Sequence, residues 1–188
     1  LAITALEEEY LTCDYTSGRI KTQDLFEHTR GRFEASIRLP AGQGLWPAFW
    51  LLGADIDRIG WPECGEIDIM EYRGQYPSIA QGALHGPGYS GGSAIWKQFV
   101  LADGRFDEGF HLFGIEWERD RITWYIDNNR YFSVTQAEVT ARGDWVFDHN
   151  FFIILNVAVG GNFVGPPDET TVFPQTMLVD WVRVYKGE

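Results

Sequence analysis

The chain has 188 residues and a formal net charge of -12, and aromatic residues make up 15% of it. This length suits a single domain that buries about 70% of its unfolded surface. The acidic balance argues against a nucleic-acid partner, which would need a basic patch, and no apolar run approaches the length of a membrane span.

The sequence predicts a succession of short β-strands, which begins abruptly at residues 1–5. Residues 31–40 alternate apolar and polar side chains, which is typical of a half-exposed strand. Residues 47–53 are more uniformly apolar and indicate a strand that is buried or faces a cleft. Outside the acidic stretch described below, the remaining predicted strands cover residues 80–85, 95–102, 111–118, 121–127, 130–134, 151–159 and 177–185.

The arrangement of these strands indicates an all-β domain. Arg119 and Asp120 form the turn of a predicted hairpin, and residues 136–142 are the only predicted helix. Roughly a dozen short strands at near-regular spacing favour a sandwich of two antiparallel sheets over a fold of alternating strands and helices. We find no internal repeat and no linker, so residues 1–188 are interpreted as a single domain.

The stretch from Gly65 to Tyr72 is unusual because it interleaves three carboxylates with apolar residues. Strict alternation in a strand would place Glu66 and Asp68 on one face and send Glu71 into the core. A buried, unpaired Glu is costly. A β-bulge near Met70 would add one residue to the strand and return Glu71 to the acidic face, so we predict a bulge there.

Three carboxylates in such a row should hold at least one proton near neutral pH, because like charges about 6–7 Å apart cannot all ionise. A protonated carboxyl group beside an ionised carboxylate is the arrangement that cleaves glycosidic bonds. The alternative is a solvated acidic edge strand that binds nothing. The many tryptophans nearby favour the catalytic interpretation.

The six residues from Glu66 to Glu71 (EIDIME) resemble the active-site signature of glycoside hydrolase family 16. The match is to the bulged form found in the laminarinases of that family, which are endo-1,3-β-glucanases; its lichenases lack the inserted residue. Other segments resemble laminarinases in the same order along the chain: residues 15–19 (YTSGR), 44–50 (GLWPAFW), 83–86 (ALHG), 156–161 (NVAVGG) and 179–185 (VDWVRVY).

This resemblance implies a jelly-roll β-sandwich whose concave sheet carries a glycan-binding cleft. It implies that Glu66 is the nucleophile and Glu71 the general acid/base, with Asp68 between them and tuning both. Members of the family usually begin several strands earlier. By this comparison the chain lacks the usual N-terminal strands, which contribute to the glycone side of the cleft.

Tryptophan side chains are candidates for sugar binding, because an indole plane can cover the apolar face of a pyranose ring. Trp46 and Trp50 have an even separation and could share the cleft face, and the resemblance places both on the glycone side. Trp61 lies in a predicted loop and is a further candidate. The alternative for each is packing in the core, which we expect for Trp117, Trp124 and Trp181.

Three polar residues match cleft positions of the family. Arg19 would contact sugar hydroxyls, with a surface ion pair as the alternative. His85 would bond a sugar hydroxyl or Glu71, or else serve as a structural histidine. Asn156 would lie on the cleft floor, or else be a buried amide bonded to the backbone.

The sequence predicts no required cofactor. The four histidines lack zinc-site spacing, and residues 159–165 are Gly-rich without the Lys-Ser/Thr of a P-loop, which indicates a loop on the cleft rim. Many family members carry a structural Ca²⁺, for which Asp180 matches one ligand. Cys13 and Cys64 could pair in an oxidising compartment, but free, buried thiols are favoured.

We therefore expect a secreted, endo-acting and retaining 1,3-β-glucanase, whose partner is a β-glucan polysaccharide or oligosaccharide. One alternative keeps the fold but acts on mixed-linkage glucan, agarose or carrageenan. Another is a non-catalytic glucan-binding lectin. The intact set of Glu66, Asp68 and Glu71 favours an enzyme, whereas the missing N-terminal strands favour the lectin.

Overall fold

The computed structural model describes residues 1–187, which form two antiparallel β-sheets packed face to face. The strands of the first half are β1 (Ala2–Tyr10), β2 (Cys13–Thr16), β3 (Arg19–Lys21), β4 (Glu27–His28), β5 (Gly31–Arg38), β6 (Leu45–Gly53), β7 (Glu66–Tyr72) and β8 (Ile79–His85). Those of the second half are β9 (Ile95–Val100), β10 (His111–Trp117), β11 (Arg121–Ile126), β12 (Asn129–Thr135), β13 (Phe151–Val159) and β14 (Gln175–Tyr185). The helical segments are α1 (Ile56–Ile59), a 3-10 turn (Gly91–Ser93) and α2 (Gln136–Thr140).

The two sheets have different roles. The first, which we call the outer sheet, has the strand order β12-β11-β10-β5-β14-β1-β2. The second, the cleft sheet, has the order β3-β13-β6-β7-β8-β9, and β4 also pairs with β13. Since β7 lies inside the cleft sheet with β6 and β8 on either side, the acidic stretch is not an edge strand. The predicted jelly-roll sandwich is confirmed.

The core lies between the sheets and follows the predicted alternation. On β5 the apolar positions Phe33, Ala35 and Ile37 are fully buried. Trp117 and Trp124 of the outer sheet also lie in this core, as predicted.

Trp124 connects the outer sheet to the acidic strand. Its Nε1–H donates a hydrogen bond to the backbone oxygen of Asp68, with a distance of 2.8 Å between the two atoms. Gly82 of β8 packs against the same indole, and a Cβ at that position would lie 2.4 Å from Cδ1 of Trp124. A glycine is therefore required at residue 82. The hydrogen bond from Trp124 holds the middle of β7 against the outer sheet.

Most predicted elements are confirmed, including the hairpin of β10 and β11 and the exact bounds of β13. The short strands β2, β3 and β4 were not predicted, because two to four residues are too few to show a period. The expectation of a single helix is wrong, since α1 is present as well as α2. The α1 helix is only four residues long, and no side chain caps its first turn, so the sequence carries little signal for it.

The prediction that Trp181 packs in the core is also wrong. The pairing of β14 with β5 shifts register between Val179 and Trp181, so a bulge at Asp180 reverses the alternation. Beyond it, Val182 and Val184 pack against the core, while Trp181 is partly exposed with the Arg183 guanidinium carbon 4.0 Å from its ring centroid.

The two cysteines are free, as favoured by the sequence. Cys64 is buried, but the expectation that Cys13 is buried too is wrong, because Cys13 starts β2 at an edge of the outer sheet. None of the helices within residues 1–187 is long and apolar enough to cross a membrane.

Candidate active site

The predicted bulge in β7 is confirmed by its pairing with both neighbouring strands. On β6, the adjacent residues Phe49 and Trp50 pair with Met70 and Asp68, so Ile69 is the additional residue. The pairing with β8 shifts over the same segment. Ile69 and Met70 are both buried in the core, which two consecutive residues of a regular strand could not be.

As a result, Glu71 returns to the face that carries Glu66 and Asp68. All three carboxyl groups line one cavity on the cleft sheet. Asp68 is 2% exposed and Glu71 9% exposed, so these are not solvated surface acids. The alternative of a solvated acidic edge that binds nothing does not fit this burial.

The cleft face is assembled from residues that are distant in sequence but adjacent across the sheet. Glu71 lies opposite Ala48 on β6 and Gln81 on β8, and Asp68 lies opposite Ala83. The side chain of each alanine is only a methyl group, so little bulk covers the cleft sheet beside the acids. Two rows follow the pairing across the sheet, namely Arg19-Asn156-Ala48-Glu71-Gln81 and Trp50-Asp68-Ala83-Trp96.

Glu66 and Glu71 border two adjoining cavities. We call the first the β13-side cavity; its volume is about 240 Å³, and apart from the acids it is lined by Arg19, Trp46, Ala48, Trp50, Asn156 and Ala158. The second, the β9-side cavity, has a volume of about 720 Å³ and includes Trp46, Trp61, Arg73, Gln81, His85, Trp96, Asn162 and Phe163. The six substrate-binding residues proposed from the sequence therefore all line one cavity or the other.

In the β13-side cavity, three of these residues hold one another in place. Trp50 Nε1–H donates to Asn156 Oδ1 at 2.7 Å. The Arg19 guanidinium carbon lies 4.6 Å from the Trp50 ring centroid. The side chain of Asn156 thus bonds an indole rather than the backbone, and Arg19 stacks on a ring and forms no ion pair within residues 1–187.

In the β9-side cavity, two indole rings are open to solvent. Trp61 is 45% exposed and Trp96 is 53% exposed. The Trp61 ring centroid lies 5.9 Å from that of His85, which brings the loop of Trp61 against β8. These two rings are available to a ligand, since they line a cavity and are not packed in the core.

Glu71 accepts one hydrogen bond at each carboxylate oxygen. Trp46 Nε1–H donates to Oε1 at 3.1 Å, and Gln81 Nε2–H donates to Oε2 at 3.1 Å. These bonds orient the carboxyl group, and they favour its ionised form.

His85 lies beside Asp68 rather than Glu71. Its Nε2 is 3.0 Å from Asp68 Oδ2 and 3.8 Å from Glu66 Oε1. Of the two partners considered for His85, a sugar hydroxyl and Glu71, the contact with Glu71 is not formed, because the register of β8 places His85 opposite Glu66 and Gln81 opposite Glu71. The Gly91 N–H donates to His85 Nδ1 at 3.1 Å, which assigns the ring proton to Nε2, on the side of the carboxylates.

Burial raises the pKa of all three acids, and the charge of a neighbouring carboxylate adds to this effect for Glu66 and Asp68. Burial, followed by the charge of Asp68, raises the pKa of Glu66 from an ordinary value of 4.5 to about 8. Burial and the charge of Glu71 raise the pKa of Asp68 well above its usual range. Burial also raises the pKa of Glu71, against the opposing effects of Gln81, His85 and Trp46. The cluster therefore retains protons near neutral pH.

These shifts predict a pH-dependent stability. Between pH 4.5 and about 8 the unfolded chain releases the Glu66 proton whereas the folded chain keeps it, so stability falls as pH rises through this window. Glu66→Gln removes the titration and should flatten the decline. We expect its melting temperature to exceed that of the unchanged chain by several degrees at pH 8 and by less at pH 5, as measured by calorimetry.

The matched control for this measurement is Glu9→Gln, which changes an exposed glutamate of β1. Its melting temperature should follow that of the unchanged chain at both pH values. If the melting temperatures of the unchanged chain and of Glu66→Gln fell equally between pH 5 and pH 8, the assignment of the raised pKa to Glu66 would be contradicted.

Some side chains of this site could also act as metal ligands. Within residues 1–187, the only group of three or more potential metal ligands is Glu66, Asp68 and His85, whose ligand atoms lie within 4.8 Å of one another. Glu66 and Asp68 belong to the predicted catalytic set, and glycoside hydrolysis by two carboxyl groups needs no metal. Asp180, the candidate calcium ligand, is exposed at the bulge of β14 and joins no such group in the described part of the chain.

Four residues of the site were not predicted: Arg73, Gln81, Trp96 and Phe163. Alternation along the predicted strand at 80–85 places Gln81 on the face of His85, and this signal could have found it. Trp96 and Arg73 had no such signal. Phe163 belongs to the Gly-rich segment interpreted as a rim loop, and this interpretation is consistent with Asn162 and Phe163 lining the β9-side cavity.

Comparison with known proteins places this site in a family. Residues 2–183 match the model of Glycosyl hydrolases family 16. The chain is 38% identical to the beta-glucanase of Rhodothermus marinus, over 99% of its own length and 68% of that protein. It is 38% identical to glucan endo-1,3-beta-glucosidase A1 of Niallia circulans, of which it spans 27% while using 93% of its own length.

Among solved structures, the laminarinase catalytic domain of Thermotoga maritima is 48% identical and superimposes with a TM-score of 0.97, covering 100% of this chain and 77% of that one. The chain therefore belongs to glycoside hydrolase family 16, as its acidic strand and the surrounding cleft residues indicated.

Proposed function

We propose that this chain hydrolyses internal 1,3-β-glucosidic bonds of β-glucans such as laminarin, by a retaining double-displacement mechanism. The observation that carries the proposal is the row of Glu66, Asp68 and Glu71 on one face of β7, at the border of two adjoining cavities. The name of the Niallia relative, a glucan endo-1,3-beta-glucosidase, supports the same linkage, and that of the Thermotoga relative, a laminarinase, supports the same substrate class.

The first step uses the two glutamates together. The Glu66 carboxylate attacks the anomeric carbon while Glu71 gives its proton to the departing oxygen, so that a bond to Glu66 replaces the glycosidic bond. In the second step Glu71 takes a proton from water, the water oxygen attacks the anomeric carbon, and Glu66 leaves as a carboxylate. Two inversions return the sugar to its original configuration.

Asp68 supports both steps from a buried position. It lies between the two glutamates along β7, and its Oδ2 is 3.0 Å from His85 Nε2. The charge of Asp68 raises the pKa of Glu66. Sharing a proton between Asp68 and Glu66 lets Glu66 react as a carboxylate while the cluster as a whole stays partly protonated.

The two cavities give sugar units room on both sides of the cleaved bond. We assign the glycone to the β13-side cavity, where Trp46 and Trp50 offer indole surfaces and Arg19 and Asn156 offer polar groups. We assign the leaving group to the β9-side cavity, where the exposed Trp61 and Trp96 rings can cover pyranose faces. A cleft that binds on both sides suits internal cleavage of a polymer, which we propose takes place outside the cell.

Incubation with laminarin, lichenan and agarose, followed by measurement of new reducing ends, tests this function. We expect the highest rate on laminarin, and release of the β-anomer when the product is followed at once by proton NMR. A preference for lichenan or agarose would assign another glycan to the same mechanism. Binding of laminarin without new reducing ends would support a lectin, and initial release of the α-anomer would exclude retention.

A further inference from the structure

The loop at residues 160–165 is built to hold one conformation. Gly160, Gly161 and Gly165 have φ angles of 76°, 103° and 73°, which glycine adopts without strain. The Gly160 N–H donates to the Gly44 carbonyl at 2.7 Å, and the Gly165 N–H donates to the Gly161 carbonyl at 2.8 Å. The loop therefore closes on itself and is anchored at the start of β6.

Two glutamine side chains fix the same loop from outside. Gln43 Nε2–H donates to the carbonyls of Val164 and Pro166 at 2.8 and 3.1 Å, and Gln75 Nε2–H donates to the Val164 carbonyl at 2.9 Å. Val164 itself is buried. Phe163, the residue between the glycines and this anchor, is thereby held at a defined place on the cleft rim.

The Phe163 ring contacts two side chains that line the same cavity as Glu71. Its centroid lies 4.9 Å from that of Trp46, with 45° between the planes, and 4.7 Å from the Arg73 guanidinium carbon. Arg73 has no carboxylate partner within residues 1–187, so aromatic rings are what hold its guanidinium. Trp46 in turn donates its indole N–H to Glu71 Oε1 at 3.1 Å.

We propose that Phe163 is a positioning residue, which holds Trp46 and Arg73 so that Glu71 is oriented to protonate the leaving oxygen. This inference rests on the proposed function. Phe163 acts through its neighbours, because its ring reaches the carboxyl group only by way of the Trp46 indole. Removing the ring should loosen Trp46 and its bond to Glu71 Oε1, so that the bond from Gln81 alone orients the carboxyl group, and a small misplacement of a catalytic group is costly.

The test separates proton donation from binding by using two substrates of similar size. Phenyl β-laminaribioside has a poor leaving group that needs a proton, whereas 2,4-dinitrophenyl β-laminaribioside has a leaving group that departs without one. In Phe163→Leu we expect kcat/KM to fall about 10- to 100-fold for the phenyl glycoside and less than about threefold for the dinitrophenyl glycoside. Phe163→Tyr keeps the ring and should remain within about threefold of the unchanged chain on both.

The matched control is Phe26→Leu, which makes the same change on an exposed ring outside both cavities and should alter neither rate. Melting temperatures are measured for every variant, and Phe163→Met replaces Phe163→Leu if the latter does not fold. Equal losses on the two substrates, or no loss on either, would overturn the positioning role. If the unchanged chain cleaves neither laminaribioside nor laminarin, the proposed function fails first and this inference fails with it.

Discussion

Replacing Glu66 with Gln should lower kcat/KM on laminarin by about 10⁴-fold or more, because an amide cannot attack the anomeric carbon. The fold should be preserved, since the two side chains have nearly the same shape and the change removes a carboxyl group that is costly to ionise in the cleft. Reducing-end assays on laminarin measure the loss. Asp68→Asn should lose less, because Asp68 forms no bond to the sugar in either step.

A second variant distinguishes the nucleophile from any other essential carboxylate. In Glu66→Ala, added azide can occupy the vacated space and attack the anomeric carbon of an activated laminaribioside directly. One displacement in place of two inverts the configuration, so the product should be the α-glycosyl azide. Near-normal hydrolysis by Glu66→Gln, or a β-glycosyl azide from Glu66→Ala, would contradict the assignment. Glu9→Gln, on the outer sheet, serves as the unaffected control.

Replacing Glu71 with Gln should lower kcat/KM on laminarin by about 10²- to 10⁴-fold, the range typical of a lost general acid. The loss should be small on 2,4-dinitrophenyl β-laminaribioside, whose leaving group needs no proton in the first step. The amide also keeps a carbonyl oxygen to accept the Trp46 N–H, so the cleft should retain its shape. Measuring kcat/KM on both substrates checks this contrast.

The second step gives an independent signature of Glu71. In Glu71→Ala the bond to Glu66 still forms on an activated substrate, but no base remains to activate water. Azide needs no such base, so it should accelerate turnover and give the β-glycosyl azide through two inversions. Equal losses of Glu71→Gln on laminarin and on the dinitrophenyl glycoside would show that Glu71 is not the acid.

Two bulges show how far alternation in a sequence can be used. The bulge at Ile69 was predictable, because a regular strand would have buried Glu71. The bulge at Asp180 was missed, although the same reasoning applies to it. Regular pairing would have turned Arg183 inward with Met177 and Val179, and the cost of burying that charge was the available signal.

The sequence did not predict which residues face one another on adjacent strands. The resemblance placed His85 beside the acids, with a sugar hydroxyl or Glu71 as its partner, whereas in the structure it lies beside Asp68. Alternation gives the face of a residue and not its partner on the next strand. The pairing of β7 with β8 decided that Gln81 contacts Glu71 and that His85 lies beside Asp68.

The sequence by itself determined the all-β class, the phase of the acidic strand and the identity of the three carboxyl groups, because each depends on residues that are neighbours along the chain. Only the tertiary structure decided which side chains contact Glu71 and which side chain packs behind them. Trp46, Gln81 and Phe163 come from two strands and a distant rim loop, and they meet through pairing and packing over long separations. Local pattern carries no record of such contacts, since many registers and loop positions satisfy the same alternation.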